Sequence, residues 1–450
     1  MKMLEKIAQC SIVKTTFFGL TLLLASSPTS AQTIEQALST LQYKHPQIKS
    51  AVKAVASSKQ EINKATAGFL PKLNVTSDYG PENIDTPTTR SEGNEWQRSK
   101  HTATLTVTQN IFQGFSDTSA TRTARLNKLV TESALATTSQ ATMMEGISAF
   151  IDVLRQAQLV ELTLQNEETI QTQLNLEDER VQKGTGIAVD VLQAKSRLQL
   201  AKERRLQFEG DLENSISRYN QVFNTPPDLD KIVEPLPKAD LVPDSMEAAI
   251  DIALAENPQI FNSDQRVAIA REAKRFARSD LYPVVDFVSK FNYEKHNSGT
   301  IGTRRDASFI LQANWDLFTG LTSRANIAKA SYDYAASRDN YEFATRKIVE
   351  GARIAWHNLH TSRKRLVQLE NAVNIASEVF SSRKKLRAAG KETVIKVLDA
   401  ESEITNARIN FTTASFDERE AVYALLLSMG RLGYSEIMAS TQGAGATLPR

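Results

Sequence analysis

Apolar and polar residues alternate in four short segments of the chain. In residues 102–108, threonines alternate with alanine, leucine and valine, and similar segments begin after Pro71 and occupy 285–293 and 309–317. A period of two over about ten residues is typical of a half-buried β-strand, and about ten residues also suffice for a tilted strand to cross an outer membrane. The alternation therefore predicts two β-hairpins, at about 71–112 and about 283–318.

Aromatic residues are concentrated near the ends of these segments: Tyr79, Phe112, Phe291, Tyr293, Trp315 and Phe318. Such a distribution is typical of the aromatic girdle of a membrane barrel. A sheet in a soluble sandwich is the alternative for any single strand, but two hairpins in a chain otherwise rich in helix disfavour it. Four strands are too few to close a barrel, so a membrane barrel requires several chains, and three chains would supply twelve strands.

Long helical patterns follow each hairpin. Apolar residues recur every three to four positions and predict helical hairpins at about 115–223 and about 321–430. The predicted helices have about 35 residues and span about 50 Å. Their apolar stripes are narrow and rich in alanine, which suits helices with water on more than one side, as in an open tube. An ordinary soluble coiled coil is the alternative for the helices alone.

The chain also contains an internal duplication. The segment TIEQALSTLQYKHPQI (33–48) aligns with SMEAAIDIALAENPQI (245–260), and KGTGIAVDVLQA (183–194) aligns with AAGKETVIKVLDA (388–400). Each copy is too long to be one unit of a solenoid, so an entire half is duplicated. The predicted division is a signal peptide (1–31), a first repeat (32–223), a proline-rich connector (224–244), a second repeat (245–433) and a flexible C-terminal tail (434–450). Each repeat is expected to begin with a helix.

The first 31 residues have the features of a secretory signal peptide. A basic start precedes the short apolar core FFGLTLLLA and small residues before a cut after Ala31. A membrane anchor is the alternative, but no stop-transfer segment follows. Cleavage removes three lysines and one acid from totals of 54 and 52, so the mature chain is neutral and nucleic acid is an unfavourable partner. Cleavage also removes Cys10, the single cysteine, and with it any disulfide.

No stretch outside the signal peptide has the roughly 18 consecutive apolar residues of a membrane helix, so strands would have to perform any insertion. No catalytic motif is present either. His357 and His360 could share a helical face, but neither a cysteine nor an HExxH motif accompanies them. The sequence therefore predicts a protein that is not an enzyme and that needs no metal or cofactor.

In their order and duplication, these motifs resemble the TolC-type outer-membrane efflux protein family. The resemblance rests on the duplicated PQI segments, the LP and YP strand starts, the strand exits IFQGF and WDLFTGL, and the two helix turns, and it extends from about 33 to about 433. It implies an α+β membrane protein of a Gram-negative outer membrane, a homotrimer whose four strands per chain form one shared 12-stranded β-barrel. Long helices would continue this barrel as a tube through the periplasm.

The resemblance also implies partners and sites. The helix turns are expected to dock a periplasmic adaptor protein through Lys183, Gly184, Thr185, Gly186, Ala389, Gly390 and Lys391. Gly114 and Gly320 are expected at the strand-to-helix corners, where glycine tolerates a bend. The pore entrance and gate are expected at Asp190, Arg387, Glu392, Lys396 and Asp399. Further partners are outer-membrane lipid and an inner-membrane ABC transporter or proton-driven pump.

Three gate positions depart from the family pattern. Asp399 matches the second of two aspartates that ring the entrance in relatives, but Lys396 replaces the first, so the fields of opposite charges partly cancel. Arg387 and Glu392 stand where the family usually has tyrosine and arginine. We therefore predict a latch in which Asp190 pairs with Arg387 or Lys391 between neighbouring coiled coils.

The function implied by the resemblance is a passive exit duct of a tripartite export system. The WDLFTG motif resembles the type I secretion branch, and Cys10 is badly placed for lipidation, which departs from many drug-efflux relatives. These features favour protein secretion with an ABC transporter over small-molecule efflux. A periplasmic coiled-coil scaffold is a remote alternative, and a single-chain porin is disfavoured by its need for more strands.

Overall fold

The structure, a computed structural model, describes residues 33–91, 96–235, 241–298 and 301–433. The predicted signal peptide and C-terminal tail lie outside the described residues. The elements follow one another as α1 (Ile34–Lys44), α2 (Pro46–Thr66), β1 (Lys72–Ile84), α3 (Pro87–Ser91), β2 (Trp96–Gln113), α4 (Ser116–Gln182), α5 (Ala188–Phe223), α6 (Met246–Glu256), α7 (Pro258–Ala277), β3 (Val284–Lys295), β4 (Thr303–Asn314), α8 (Thr322–Ala388) and α9 (Val394–Met429).

The four strands form one antiparallel sheet in the order β1-β2-β3-β4. The central pair, β2 and β3, therefore joins the two halves of the chain, and β1 and β4 lie at the edges. Because opposite residues share a face, Val75, Leu105 and Phe291 fall in one row. We call their side of the sheet the apolar face and the other side the polar face. The apolar face carries Leu73, Val75, Leu105, Val107, Phe287, Phe291, Phe309 and Leu311.

The second hairpin is shorter than predicted. β4 ends at Asn314, so Trp315 and the three residues after it lie outside the sheet. The last pair joins Asn314 to Val284, and the preceding residue on the β3 side is Pro283, which has no N–H to continue the ladder. The Trp315 indole N–H instead donates to the carbonyl of Leu281 at 3.3 Å.

Two of the four long helices, α4 and α8, exceed the predicted length of about 35 residues, and α5 and α9 agree with it. α4 and α8 each have 67 residues, a length of about 100 Å at about 1.5 Å per residue. α5 and α9 each have 36 residues. Near the sheet, α2, α4, α7 and α8 pack side by side in the order of the strands they adjoin, and farther away α4 packs against α5 and α9. The packing partners of α4 change along its length, so no single apolar stripe reveals its full extent.

The PQI motifs lie at junctions between two helices. Pro46 and Pro258 occupy the first turns of α2 and α7. His45 and Asn257, the residues before them, have extended backbones that end α1 and α6. A proline restricts its predecessor to this conformation, and its missing N–H costs nothing at a helix start.

The strand-to-helix corners have the same backbone in both halves. Gly114 and Gly320 have φ values of +59° and +62°, and the next residues, Phe115 and Leu321, have φ of 70° and 69°. Two successive left-handed residues therefore turn each strand into its long helix. A Cβ on Gly114 would lie 2.5 Å from the carbonyl oxygen of Ser279, whereas a Cβ on Gly320 would meet nothing within 4 Å.

Two hydrophobic cores hold the helices together. The larger lies where α1, α4, α5, α6, α8 and α9 meet, and its fully buried members include Leu38, Ile147, Phe150, Tyr219, Phe416 and Met429. The smaller lies next to the helix turns and contains Ile170, Leu174, Val191, Ala194, Leu198, Ala201, Val394 and Leu398. Within the described ranges, no helix is both long enough and apolar enough to span a membrane.

Candidate functional site

The two helical hairpins end in turns of the same type. Gly184 and Gly390 have φ values of +76° and +71°. In the first turn the Gly184 N–H donates to the carbonyl of Val181 at 3.0 Å, and the Thr185 N–H donates to that of Arg180 at 2.9 Å. The second turn repeats both bonds around Gly390. These bonds form the Schellman motif, which satisfies the last carbonyls of the helix and requires a left-handed residue at the glycine.

The residues predicted to dock an adaptor are exposed at these turns, apart from the half-buried Gly186; the exposed ones are Lys183, Gly184, Thr185, Ala389, Gly390 and Lys391. The first turn also presents an apolar surface that the sequence analysis missed. Ile187, Val189 and Leu192 are 63%, 56% and 65% exposed. Their signal was available in the segment GIAVDVL, which holds more apolar residues than the buried positions of α5 require.

A buried ion-pair network lies behind the turns, between the two helical hairpins. Arg387 of α8 donates through Nε to Oε1 of Glu177 in α4 at 3.0 Å and also binds the second oxygen of that carboxylate through Nη2. Its Nη1 donates to the main-chain carbonyl of Glu392 at 2.9 Å. The Glu177 side chain is only 2% exposed and also pairs with Arg180 at 3.0 Å. Arg387 therefore connects the hairpins through a charged, two-point contact.

The predicted pairing of Asp190 with Arg387 is a minor contact in this network. The Oδ2 of Asp190 lies 3.9 Å from Nη2 of Arg387, while Glu177 holds the same guanidinium at hydrogen-bond distance. The backbone N–H of Lys391, the other predicted partner, donates to the carbonyl of Leu386 at 2.9 Å as part of the turn. The role of this network as a latch remains a prediction.

The three remaining predicted gate residues have partners of opposite charge. Lys396 lies 3.3 Å from Glu392, which also binds Arg383 at 3.0 Å. Asp399 accepts a hydrogen bond from Arg197 of α5 at 2.7 Å. Partial burial opposes ionisation of Glu392, but the hydrogen bond from Lys396 and the nearby positive charges hold its pKa below the ordinary value. Each acid of this group is therefore locally compensated, which weakens the field of an acidic ring further.

Four members of these ion pairs are not among the site residues predicted from the sequence, namely Glu177, Arg180, Arg197 and Arg383. Each is one of many charged residues along a helix, and the contacts between the hairpins, Glu177 with Arg387 and Arg197 with Asp399, join residues 210 and 202 positions apart. Glu177 has the most distinctive position, because it is nearly fully buried. Its burial depends on how the two hairpins pack and is invisible in the periodicity of α4.

Glu401 is a second buried carboxyl, about two turns into α9 from the tip. It is 5% exposed, and its Oε2 has no hydrogen-bond partner among the described residues. Burial raises its pKa from 4.5 to about 7, against the opposing effect of the nearby Arg408 and Lys384. The neutral carboxylic acid is therefore the form that the helix packing favours.

We expect Glu401→Gln to stabilise the protein above pH 7 and to leave it unchanged at pH 4. Wild-type stability should fall as pH rises from 4.5 to about 7, because the unfolded carboxyl ionises first, and the cost is complete above the folded pKa. A shift of this size corresponds to about 3 kcal/mol. Thermal unfolding of the purified protein at pH 4 and pH 8.5 measures the effect. Glu403→Gln, at an exposed position of the same helix, is the matched control, and equal gains from both variants would contradict the prediction.

Within the part of the chain that the structure describes, no group of three or more His, Cys, Asp or Glu residues is placed to hold a metal ion. The charged groups at the tip are paired with one another and are arranged to hold two hairpins together. Their geometry supports a structural contact between the two hairpins.

The model of the family described as outer membrane efflux protein matches residues 37–220 and 249–431. Three relatives cover most of the chain. The outer membrane efflux protein BepC of Brucella suis is 23% identical and the alignment covers 83% of this chain and 80% of BepC. The outer membrane protein TolC of Escherichia coli is 22% identical, covering 94% and 87%. The alkaline protease secretion protein AprF of Pseudomonas aeruginosa is 22% identical, covering 87% and 83%.

A solved structure has the same fold. The crystal structure of a membrane protein from Pseudomonas aeruginosa superposes with a TM-score of 0.79 at 16% sequence identity and covers 95% of this chain and 98% of that one. The four-stranded sheet with its long helices is therefore a complete example of a known architecture. The fold class predicted from the sequence is confirmed.

Proposed function

Because this chain belongs to the outer membrane efflux protein family, we propose that it is the exit duct of a tripartite system for type I protein secretion. It is an outer-membrane protein that extends into the periplasm, and channels of this family serve tripartite export. The finer proposal is that an ABC transporter in the inner membrane supplies the cargo and the energy. The family consists of channel proteins, and we propose that this chain likewise catalyses no reaction.

One observation carries the proposal: exposed helix tips lie about 100 Å from a sheet with an exposed apolar face. Leu73, Val75 and Leu311 on that face are 69%, 72% and 69% exposed. Such a face is costly in water and favourable in hydrocarbon. Helices of this length reach deep into the periplasm, where the tips are accessible to another protein. The remote alternative of a soluble periplasmic scaffold is set aside, since it leaves the apolar face unexplained.

The edges of the sheet support assembly of three copies. Among the described residues β1 and β4 each have one neighbouring strand, so each presents an outer edge that pairs with no other strand there. Unpaired edges inside a membrane cost several kcal/mol for each exposed group, about the cost of burying an unpaired amide. Pairing of β4 with β1 of the next copy would close a barrel of twelve strands. The roughly parallel helical hairpins would then line one shared tube.

The choice between cargo classes rests on the relatives. Similarity to a protein named for alkaline protease secretion and the WDLFTG segment favour protein export. Similarity to BepC, which is named as an efflux protein, favours the second candidate, small-molecule efflux with a proton-driven pump. The partner captured at the tip decides between the candidates.

The tip residues are proposed to dock the adaptor, and the ion-pair network behind them is proposed to keep the entrance closed. Lys183 and its neighbours in the first turn offer hydrogen-bond donors, and Ile187, Val189 and Leu192 offer exposed apolar area beside them. An interface with a buried apolar centre and a polar rim is the usual composition for a specific contact.

We expect a photo-crosslinker attached to Lys183→Cys to capture a periplasmic adaptor in cells. Cleavage of the predicted signal peptide would remove Cys10, so the introduced thiol would be unique. Asp339→Cys is the control: it is exposed on α8 but lies about 75 Å along the helix from the tip. Mass spectrometry identifies the captured protein.

An adaptor of an ABC exporter would support type I secretion, and an adaptor of a proton-driven pump would replace it with small-molecule efflux. Capture at Asp339→Cys alone, in cells shown to express an adaptor, would contradict the docking role of the tip.

A further inference from the structure

Acidic and basic residues are distributed differently over the two faces of the sheet. In the described strands every carboxylate lies on the polar face: Asp78, Glu82, Asp286, Glu294 and Asp306. Most basic residues lie on the polar face as well, where Lys100 pairs with Glu82 at 3.6 Å and Arg304 pairs with Asp306 at 3.3 Å. The polar face is therefore internally compensated.

The apolar face has basic residues but, in the described strands, no acid. His101, Lys295 and Arg305 lie on this face beside Tyr79 and Tyr293, in two adjacent rows at the end of the second hairpin. We call these five residues the rim patch. Its contacts are aromatic: His101 packs edge-on against Tyr79 and Tyr293, with ring centroids 6.1 Å and 5.6 Å apart.

Within the rim patch, the guanidinium of Arg305 lies 5.7 Å from the centroid of the Tyr293 ring. Directly opposite residues have Cα atoms about 5 Å apart and diagonal ones about 7–8 Å apart. His101 is directly opposite Lys295, and Arg305 is diagonal to Lys295. Three basic groups therefore lie close enough together to contact one headgroup.

The depth of the rim patch in the membrane follows from the strand geometry. A first aromatic cluster, Phe112, Phe115 and Tyr282, lies at the helix end of the sheet. From Tyr282 to Tyr293 the chain advances about 36 Å at about 3.3 Å per residue. A strand tilt of about 40° reduces this to about 28 Å, close to the height of about 25 Å for the apolar band of a membrane barrel.

The rim patch is therefore at the headgroup level of the leaflet farthest from the helices. The helices occupy the periplasm, so this leaflet is the outer one. Basic residues on a lipid-facing surface are tolerated at this depth and are strongly disfavoured at the midplane. Tyrosine rings are enriched at the same interface.

We propose that the rim patch binds the phosphate groups of a phosphorylated lipid headgroup in the outer leaflet. Guanidinium and ammonium groups form charge-assisted hydrogen bonds with phosphate oxygens, and arginine binds two oxygens at once. The absence of acids on this face in the described strands leaves these cations available to an anion from the membrane. This inference rests on the proposed membrane-embedded channel.

The test uses the full-length protein purified in neutral detergent and titrated with a diphosphorylated, acylated glucosamine disaccharide or its dephosphorylated form. Native mass spectrometry counts the bound lipid. We expect the wild type to retain the phosphorylated lipid preferentially, and the double variant Lys295→Gln/Arg305→Gln to bind it at least about tenfold more weakly, because two charge-assisted contacts are lost. Lys290→Gln/Arg304→Gln, with the same charge change on the polar face, is the matched control.

Equal binding by wild type and the Lys295→Gln/Arg305→Gln variant would overturn the inference, as would an equal loss in the control. Conductance of each variant in planar bilayers separates this failure from failure of the proposed function. If the Lys295→Gln/Arg305→Gln variant has normal conductance and unchanged lipid binding, only the proposed lipid-binding role of the rim patch is wrong. If the wild-type protein never inserts into the bilayer, the proposed channel function on which the inference rests is wrong.

Discussion

Replacing Arg387 with alanine is expected to open the tip and to raise the conductance of the purified channel in planar bilayers. The substitution leaves Glu177, whose side chain is 2% exposed, without its two-point partner from α8. It also frees the main-chain carbonyl of Glu392. Removing one partner of a buried ion pair costs about 3–5 kcal/mol, and the remaining contact of Glu177 with Arg180 places this variant at about the lower end of that range. A cost of about 3 kcal/mol changes the ratio of closed to open tips about a hundredfold.

Two further variants make this prediction specific. Asp190→Ala should have a smaller effect, since its carboxylate lies 3.9 Å from Arg387 and contacts of this kind contribute about 0–1 kcal/mol. Adding Glu177→Gln to Arg387→Ala should restore part of the closed population, because the buried carboxylate that Arg387 no longer neutralises is then removed. Unchanged conductance in Arg387→Ala and in Asp190→Ala would exclude the network as a latch.

Gly114→Ala is expected to reduce the yield and thermal stability of the assembled protein far more than Gly320→Ala. Both glycines have φ near +60°, so each alanine carries the left-handed cost of about 1–2 kcal/mol. Only at Gly114 does the new Cβ also collide with backbone, at 2.5 Å from the Ser279 carbonyl oxygen, and approach Cβ of Tyr282 at 3.0 Å. That collision would displace the start of the second hairpin from the end of the first.

The comparison of the two alanine variants isolates the collision from the backbone conformation. The fraction of purified protein that remains assembled, together with its unfolding temperature, measures the effect. Equal losses in Gly114→Ala and Gly320→Ala would show that the conformation alone matters and that the corner relaxes around Ser279.

Much of the fold could be predicted because its signals are local. Alternation with a period of two depends on successive residues of one strand, and the need for positive φ at Gly184 and Gly390 depends on one helix end. The duplication doubled each weak signal, since a strand or turn recognised in one half supported its counterpart in the other. The residues of β4 do not themselves show where that strand ends. Asn314 pairs with Val284, and the residue before Val284 is Pro283, which has no N–H to continue the ladder.

By itself the sequence determined the class of this protein: an exported chain with two membrane hairpins, long helices and glycine turns at the helix tips. Periodicity and backbone preference are properties of neighbouring residues, so they can be read without a structure. Only the tertiary structure decided that Arg387 binds Glu177 more closely than Asp190, that Glu401 is buried and that Lys295 and Arg305 share a face without acids. These outcomes depend on packing and register between segments far apart in the chain, and a charged residue in an amphipathic helix or strand does not reveal which partner it will meet.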